Sequence, residues 1–435
     1  MQLRGLGKKH IQTLRRYGAP ITLLLFFLFQ WAALFPGSKP TWDAAFYYAY
    51  TRSIVFDGDL RIANDLRQSY PTASPDFAAK QLDQDTNEHG RVISPFAFGS
   101  SFLWLPWLAI LRAFAGIGQL LSGQASTLTG FEWYFRLGLA TLAMMLGWLA
   151  FYTSYRLARI INQRSSAMLA TLTVLFTTPL LYYMYAEPLY AHATSAFVTA
   201  ILVFVWWRLF HEPFTYSGAL AFGILIGLAF LVRWQHLIYV VLPLSSLVDY
   251  WFSLARGERR RQLKRVLALA IVVGVGTTAA VSLQLAHWKI LYQEWITIPQ
   301  GATFMNWTAP HWYQVLFSTF RGLLPWMPVF FLSFVGLIVG LRKQRKFMLP
   351  LLIVLVLAIY VNSSSRDWFA GGAYGPRRFT SELTILIIGY AVLLQALPRR
   401  FRLIAGSLMG VILTLHQWIL FRFGLDEAIG GNVLT

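Results

Sequence analysis

The sequence predicts an all-α polytopic membrane protein with about eleven transmembrane helices and one long loop after the first of them. Three observations carry that prediction. Hydrophobic residues make up 57% of the 435 positions while charged residues make up only 13%, too apolar for a water-soluble core. Apolar stretches of about 20 residues, the length that crosses a bilayer as a helix, recur along the whole chain. Lysine and arginine fall in short clusters between those stretches, as topology signals do.

The elements follow in order. Arg4, Lys8, Lys9, Arg15 and Arg16 precede the first span, 19–36, which resembles a signal peptide. The following Pro36-Gly37-Ser38-Lys39 offers no small-x-small cleavage site, so an uncleaved anchor is expected. A loop occupies 37–132, and a bundle over 133–421 holds spans near 133–155, 166–185, 193–210, 217–232, 236–252, 266–288, 322–341, 347–362, 381–397 and 403–421. No internal repeat, low-complexity tract or soluble terminal domain stands out, so 1–435 reads as a single membrane domain.

The apolar segment 96–121 contains Pro106 and Arg112 and is expected to lie on the membrane rather than cross it, on the grounds of charge. With that segment left out, 22 of the 37 basic residues collect on one face, accompanied by only Glu212, Asp249 and Glu258 of the 18 acids. The basic face is then cytoplasmic, with the N-terminus on it. The long loop and the connections near 186–192, 233–235, 289–321 and 363–380 face outward. Within the loop, 44–56 reads as an interfacial helix lying among headgroups, and 57–91, polar and broken by Pro71 and Pro75, reads as solvated chain.

Composition also excludes. The formal charge of +19 is spread over inter-span clusters rather than one polar domain, so nucleic acid is not an expected partner. With no cysteine, disulfides, thiolate chemistry and thiolate-bound zinc are ruled out. Chemistry has to come from oxygen and nitrogen groups.

Asp43, in Thr41-Trp42-Asp43-Ala44-Ala45-Phe46-Tyr47-Tyr48, is the first candidate. It suits a helix N-terminus, and a carboxylate held at a membrane rim also suits a general base. Glu187, in Tyr185-Ala186-Glu187-Pro188-Leu189-Tyr190, falls on the same expected face and fits sugar stacking, interfacial anchoring or a helix-terminal acid before proline; with His192 about one turn later, binding of a divalent metal is a further alternative. Outward-facing cations form the third group: Arg91 beside His89, then Arg233, Arg321, Arg377 and Arg378. A lone arginine at a helix end usually snorkels to headgroups, but recurrence at several ends fits guanidinium forks that hold a phosphate. The densest stretch runs from Arg366 through Asp367, Trp368, Gly371, Gly372, Tyr374 and Gly375 to Arg377 and Arg378, combining close backbone approach, stacking faces and charge.

Four motifs carry a family resemblance: Trp42-Asp43-Ala44-Ala45-Phe46-Tyr47; His89-Gly90-Arg91 through Ser94-Pro95; Leu316-Phe317-Ser318-Thr319-Phe320-Arg321-Gly322-Leu323-Leu324-Pro325-Trp326-Met327-Pro328; and Asp367-Trp368-Phe369-Ala370-Gly371-Gly372 through Pro376-Arg377-Arg378-Phe379. Together they resemble the class C (GT-C) membrane glycosyltransferases, in particular the bacterial branch related to protein O-mannosyltransferases and aminoarabinose transferases. The resemblance implies a sugar donor on a polyprenyl phosphate and an acceptor hydroxyl on a lipid, glycan or protein. It makes Asp43 the base of a single inverting displacement, with Arg91, Arg233, Arg321, Arg377 and Arg378 binding the donor phosphate. It leaves Glu187, His89, His192, Asp367, Trp368 and Tyr374 to contact sugar or acceptor, and places the site on the outer face of a bacterial inner membrane.

The chain departs from the family in having Ala44 where a second acid often follows the catalytic aspartate, and in lacking an Asp-x-Asp pattern near Glu187. One acid at each locus is a poor divalent cage, so no metal or other cofactor is expected to be required. Two alternatives share the substrate chemistry: a transporter or flippase of a lipid-linked glycan, and an outer-face glycan ligase or polymerase. Transport is disfavoured by the missing repeats.

Overall fold

The computed structural model describes residues 28–33, 40, 42–69, 86–87, 90–123, 127–211, 215–372 and 374–430. The N-terminal basic cluster, most of span 19–36 and His89 lie outside the described residues. Among the described residues regular structure is helical, and β pairing is limited to isolated bridges between Thr86 and Val92 and between Met305 and Ser365.

In chain order the helices are α1 (Trp42–Arg52), α2 (Ala63–Ser69), α3 (Gly99–Ser122), α4 (Trp133–Ile161), α5 (Arg164–Thr177), α6 (Leu180–Tyr185), α7 (His192–His211) and α8 (Tyr216–Val232). They continue with α9 (Val241–Ser253), α10 (Arg256–Tyr292), α11 (Trp312–Phe317), α12 (Leu323–Trp326), α13 (Val329–Ser363), α14 (Leu383–Ala396) and α15 (Arg399–Gly430). A π-helical turn, Ser53–Asp57, extends α1, and 3-10 turns at Trp234–Val240 and Arg377–Glu382 lead into α9 and α14.

Among the described residues seven helices are long and apolar enough to cross a membrane: α3, α4, α7, α10, α13, the stretch Arg377–Ala396, and α15. Span 19–36 lies mostly outside the described residues, α3 is not among the expected spans, and the other differences from eleven are local. The expected span 166–185 is divided at Thr178, which is extended (φ −119°, ψ 154°) because a residue before proline avoids the helical region. Span 236–252 starts as a 3-10 turn, and α8, at 17 residues, is shorter than any of the seven. Spans 322–341 and 347–362 run together in α13, whose helical geometry fails at Gln344 within the basic cluster. The chain turns back there. Phe331 in the first half stacks with Phe317, while the Ser363 carbonyl at the far end accepts from His311 N–H, close by in sequence.

At the centre sits α14. Leu383 through Ala391 are all buried, as expected for a helix apolar on every side. Small residues let backbones meet around it: a Cβ on Gly336 of α13 would fall 1.8 Å from the Gly389 carbonyl oxygen of α14. A Cβ on Gly223 of α8 would likewise fall 2.2 Å from the Val273 carbonyl oxygen of α10. Close approach of this kind is how helices pack where burial alone offers no driving force.

The α3 segment touches several helices near their ends in succession. Gly99 abuts the Leu231–Val232 backbone at the end of α8, Trp104 Nε1 donates to Thr194 Oγ1 near the start of α7, and Trp107 Nε1 donates to the Gly138 carbonyl near the start of α4. Its far half exposes Phe114, Leu120 and Leu121.

Two expectations for the long loop need correction. Residues 44–56 do form a helix, but Ala44 through Tyr50 are buried within protein rather than laid among headgroups. Tyr47 and Tyr48 pack with Trp104 and Phe135, and Ala45 and Tyr50 with Phe98 and Leu291. An alanine- and aromatic-rich stretch finds the same apolar surroundings in either setting, so composition does not separate them. Nor is 57–91 simply solvated: α2 lies inside it, and Ile62, Asp65 and Leu66 are fully buried.

Candidate active site

The site forms where the start of α1 meets the 3-10 turn that leads into α14. Asp43 stands in the first turn of α1, where the helix dipole favours a carboxylate. Its Oδ2 pairs at 2.9 Å with Arg377 Nη1, and both side chains are mostly buried, at 22% and 14% exposure. The Arg377 guanidinium lies 5.4 Å from the centre of the Tyr190 ring, at cation–π distance. Sequence separation between Asp43 and Arg377 is large, and the central helix brings them together.

A second guanidinium enters from the end of α8. Arg233 Nη1 donates to His192 Nδ1 at 3.1 Å, and Thr380 Oγ1 lies 3.0 Å from the same nitrogen. Because a guanidinium only donates, Nδ1 accepts and the ring proton belongs on Nε2. Thr380 Oγ1 gives its single proton to the Arg377 carbonyl at 2.8 Å, so it lies against the imidazole nitrogen without donating to it. Burial lowers the Arg233 pKa, and Arg377 adds to that, while Tyr47, Glu382 and Asp43 oppose it.

The third, Arg378, donates from Nη2 to Asp367 Oδ2 at 3.1 Å and from Nη1 to Ser365 Oγ. Asp367 Oδ1 in turn accepts from Gly371 N–H at 2.9 Å, which fixes the glycine-bearing loop. Arg321 approaches that loop from the other side, donating to the carbonyls of Phe369 and Gly371. A cavity of about 10 Å³, bounded by Arg321, Trp368, Arg377, Arg378 and Phe379, separates these groups and has room for about one water.

Tyr374 is held by both chain and ring. Its N–H donates to Tyr183 Oη at 3.0 Å, its own hydroxyl accepts from Gln417 Nε2 at 2.7 Å, and its ring lies 4.6 Å from that of Tyr182. Glu187 is half-buried, and its charge reaches Tyr190. Arg91 goes elsewhere: its Nη1 donates to the Ile290 carbonyl at 2.9 Å at the end of α10, with Asn87 Nδ2 on Leu291 alongside. It satisfies carbonyls that a helix end leaves open.

The structure therefore groups Asp43, His192, Arg233, Asp367, Arg377 and Arg378, with Arg321, Trp368 and Tyr374 around the adjoining loop. Sequence reasoning missed Tyr47, Tyr183, Tyr190 and Thr380. Burial first, then the Asp43 charge, pushes the phenols of Tyr47 and Tyr190 well above the ordinary tyrosine range, so both are donors and neither is a base. It also missed the layer beneath, where Ser195 Oγ lies 2.7 Å from Ser381 Oγ and 3.1 Å from His236 Nε2. Hydroxyls and imidazoles recurring in apolar helices were the available signal, since buried polar groups need partners. Among the described residues no group of three or more His, Asp or Glu is placed to hold a metal ion.

The helical bundle has the class C (GT-C) glycosyltransferase fold by its likeness to solved structures, and the protein is an integral, multi-pass membrane protein. Solved structures give that fold its particulars. The aminoarabinose transferase ArnT from Cupriavidus metallidurans, bound to undecaprenyl phosphate, is similar with TM-score 0.53 at 18% identity, over 90% of this chain and 63% of that one. Its apo state gives 0.51 at 15% identity, over 95% and 74%. The archaeal oligosaccharyltransferase AglB from Archaeoglobus fulgidus, in complex with an inhibitory peptide and a dolichol-phosphate, gives 0.50 at 14%, over 94% and 56%. The chain thus spans less than two thirds of the first ArnT chain and of AglB, and at these identities the likeness is one of fold. No family model matches the sequence, and no curated protein matches it.

Proposed function

We propose that the protein is a glycosyltransferase that moves a sugar from a polyprenyl-phosphate donor to an acceptor hydroxyl. The observation that carries the reading is the Asp43 carboxylate set 2.9 Å from Arg377, with Arg233 and Arg378 close enough to feel the same charges. The lipid phosphates bound by ArnT and AglB support a donor of this class.

In the step proposed, the acceptor oxygen attacks the anomeric carbon opposite the phosphate while Asp43 takes the hydroxyl proton. The bond from anomeric carbon to phosphate oxygen breaks, its electron pair stays on the phosphate, and one displacement inverts the centre. A phosphate leaves as an anion, so the step needs cations on its oxygens more than a general acid. Arg233, Arg377 and Arg378 supply them, with Arg321 beside. These arginines supply the positive charge that a divalent ion would otherwise bring to the phosphate, so a divalent ion is left out of the step; unchanged turnover in the presence of a chelator is expected. Glu187, His192, Trp368 and Tyr374 are assigned to sugar and acceptor contact.

The segregation of basic residues favours a site on the outer, non-cytoplasmic face, and the family resemblance favours a bacterial inner membrane. The end-to-end contacts of α3 with α8, α7 and α4 favour a helix laid across the bundle.

The test is release of polyprenyl phosphate from a panel of polyprenyl-phosphate sugars by purified protein in nanodiscs, compared with Asp43→Asn. Loss of a positioned base costs about 10²–10⁴-fold in rate, so the variant is expected to release none detectably. Near-normal release by Asp43→Asn would sink the base assignment.

A further inference from the structure

The Asp43–Arg377 pair conflicts with the role given to each partner. A carboxylate bound to a guanidinium is a weaker proton acceptor than a free one, and a guanidinium occupied by a carboxylate has fewer N–H groups for a phosphate. The cavity among Arg321, Arg377 and Arg378 holds about 10 Å³, far short of a phosphate group. That cavity therefore admits a phosphate only if a side chain beside it gives way.

Of the partners, Asp43 is the one placed to yield. Arg378 is fixed through Ser365 and through Asp367, which also secures the Gly371 turn. Arg233 is fixed through the buried His192. Among the described residues Arg377 has a single carboxylate partner, Asp43, and its guanidinium also rests on the flat face of Tyr190, over which a planar cation shifts without losing its contact.

Resting on the glycosyltransferase reading, we infer that the Asp43–Arg377 pair is a latch opened by the donor: the lipid phosphate displaces Asp43 from Arg377 and thereby frees the base. The two anions compete for one guanidinium. Donor binding and base release are one event, so the site binds donor before it activates an acceptor, and a protein without donor holds its base occupied.

Competition is tested by the affinity for undecaprenyl phosphate of nanodisc-embedded wild type, Asp43→Asn, Arg377→Gln and the double variant. Asn keeps the shape of the side chain, and unchanged thermal midpoints exclude misfolding. Removing the competitor is expected to tighten binding about tenfold, the worth of a charge-assisted hydrogen bond. In the Arg377→Gln background the same substitution is expected to change affinity less than about twofold, since coupled residues fail to add. Equal tightening in both backgrounds would reduce the effect to the loss of one negative charge and overturn the latch, as would no tightening at all. Absence of binding by wild type and Asp43→Asn alike would overturn the phosphate-binding reading itself, a result distinct from either.

Discussion

Arg52 Nη1 lies 3.0 Å from Asp65 Oδ1, and neither side chain reaches solvent to any extent, with exposures of 8% and 0%. The same guanidinium meets Asp57, donates from Nε to the Thr129 carbonyl at 2.7 Å, and sits 4.5 Å from the Phe131 ring centre. One arginine thus joins the end of α1, the α2 helix and the chain that leads into α4. The Asp43 helix is held in register from its far end.

Arg52→Ala leaves the Asp65 carboxylate buried without its cation, a change that costs about 3–5 kcal/mol. A large fall in the thermal midpoint in detergent is expected, with Asp43→Asn at the other end of α1 as a comparison that leaves the midpoint nearly unchanged.

The same pair gives a pH dependence. Burial pushes the Asp65 carboxyl up to about 6, against the opposing pull of Arg52. A folded-state pKa above the unfolded value of about 3.9 means that the folded protein binds the proton more tightly. The contribution to stability is full below pH ~4 and is lost as pH rises through ~6, at no more than about 1.4 kcal/mol per pH unit. Subtracting the melting profile of Asp65→Asn from that of wild type should isolate this slope; a difference that is flat from pH 4 to 6, or rises, contradicts it.

Much of this architecture was legible beforehand. Spans 133–155, 193–210, 266–288, 381–397 and 403–421 each fall within a long helix or the turn leading into it, because apolar length dominates their choice. Asp43 and the Arg377–Arg378 pair, singled out from opposite parts of the sequence, do meet. What stayed hidden depends on partners distant in sequence. Nothing near Arg52 announces Asp65, and Arg91 and Arg233 look alike as single cations by helix ends until the structure shows one on the α10 carbonyls and the other on His192.

That distinction is testable in binding. Arg233→Ala is expected to weaken undecaprenyl phosphate binding about tenfold, the loss of a charge-assisted contact. Arg91→Ala should leave it within about twofold while loosening the end of α10, visible as faster amide exchange around Ile290 and Leu291. A reversal of the two affinities would return Arg91 to the site.

Helix approach offers a test independent of function. A methyl at Gly336 has no space against the Gly389 carbonyl, so Gly336→Ala forces α13 from α14 and should cost about 1–3 kcal/mol. Gly274→Ala in α10 meets nothing within 4 Å and should be neutral or slightly stabilising. Similar melting of the two variants would show that the interface yields.

The Gln417–Tyr374 hydrogen bond spans 43 residues of chain. During synthesis the glycine-bearing loop beside Arg377 and Arg378 leaves the ribosome well before α15, and the amide that holds Tyr374 arrives only with that helix. Assembly of the loop is therefore completed by a late insertion event, so a nascent chain stalled between the two carries every arginine of the cluster without the clasp on the loop beside them.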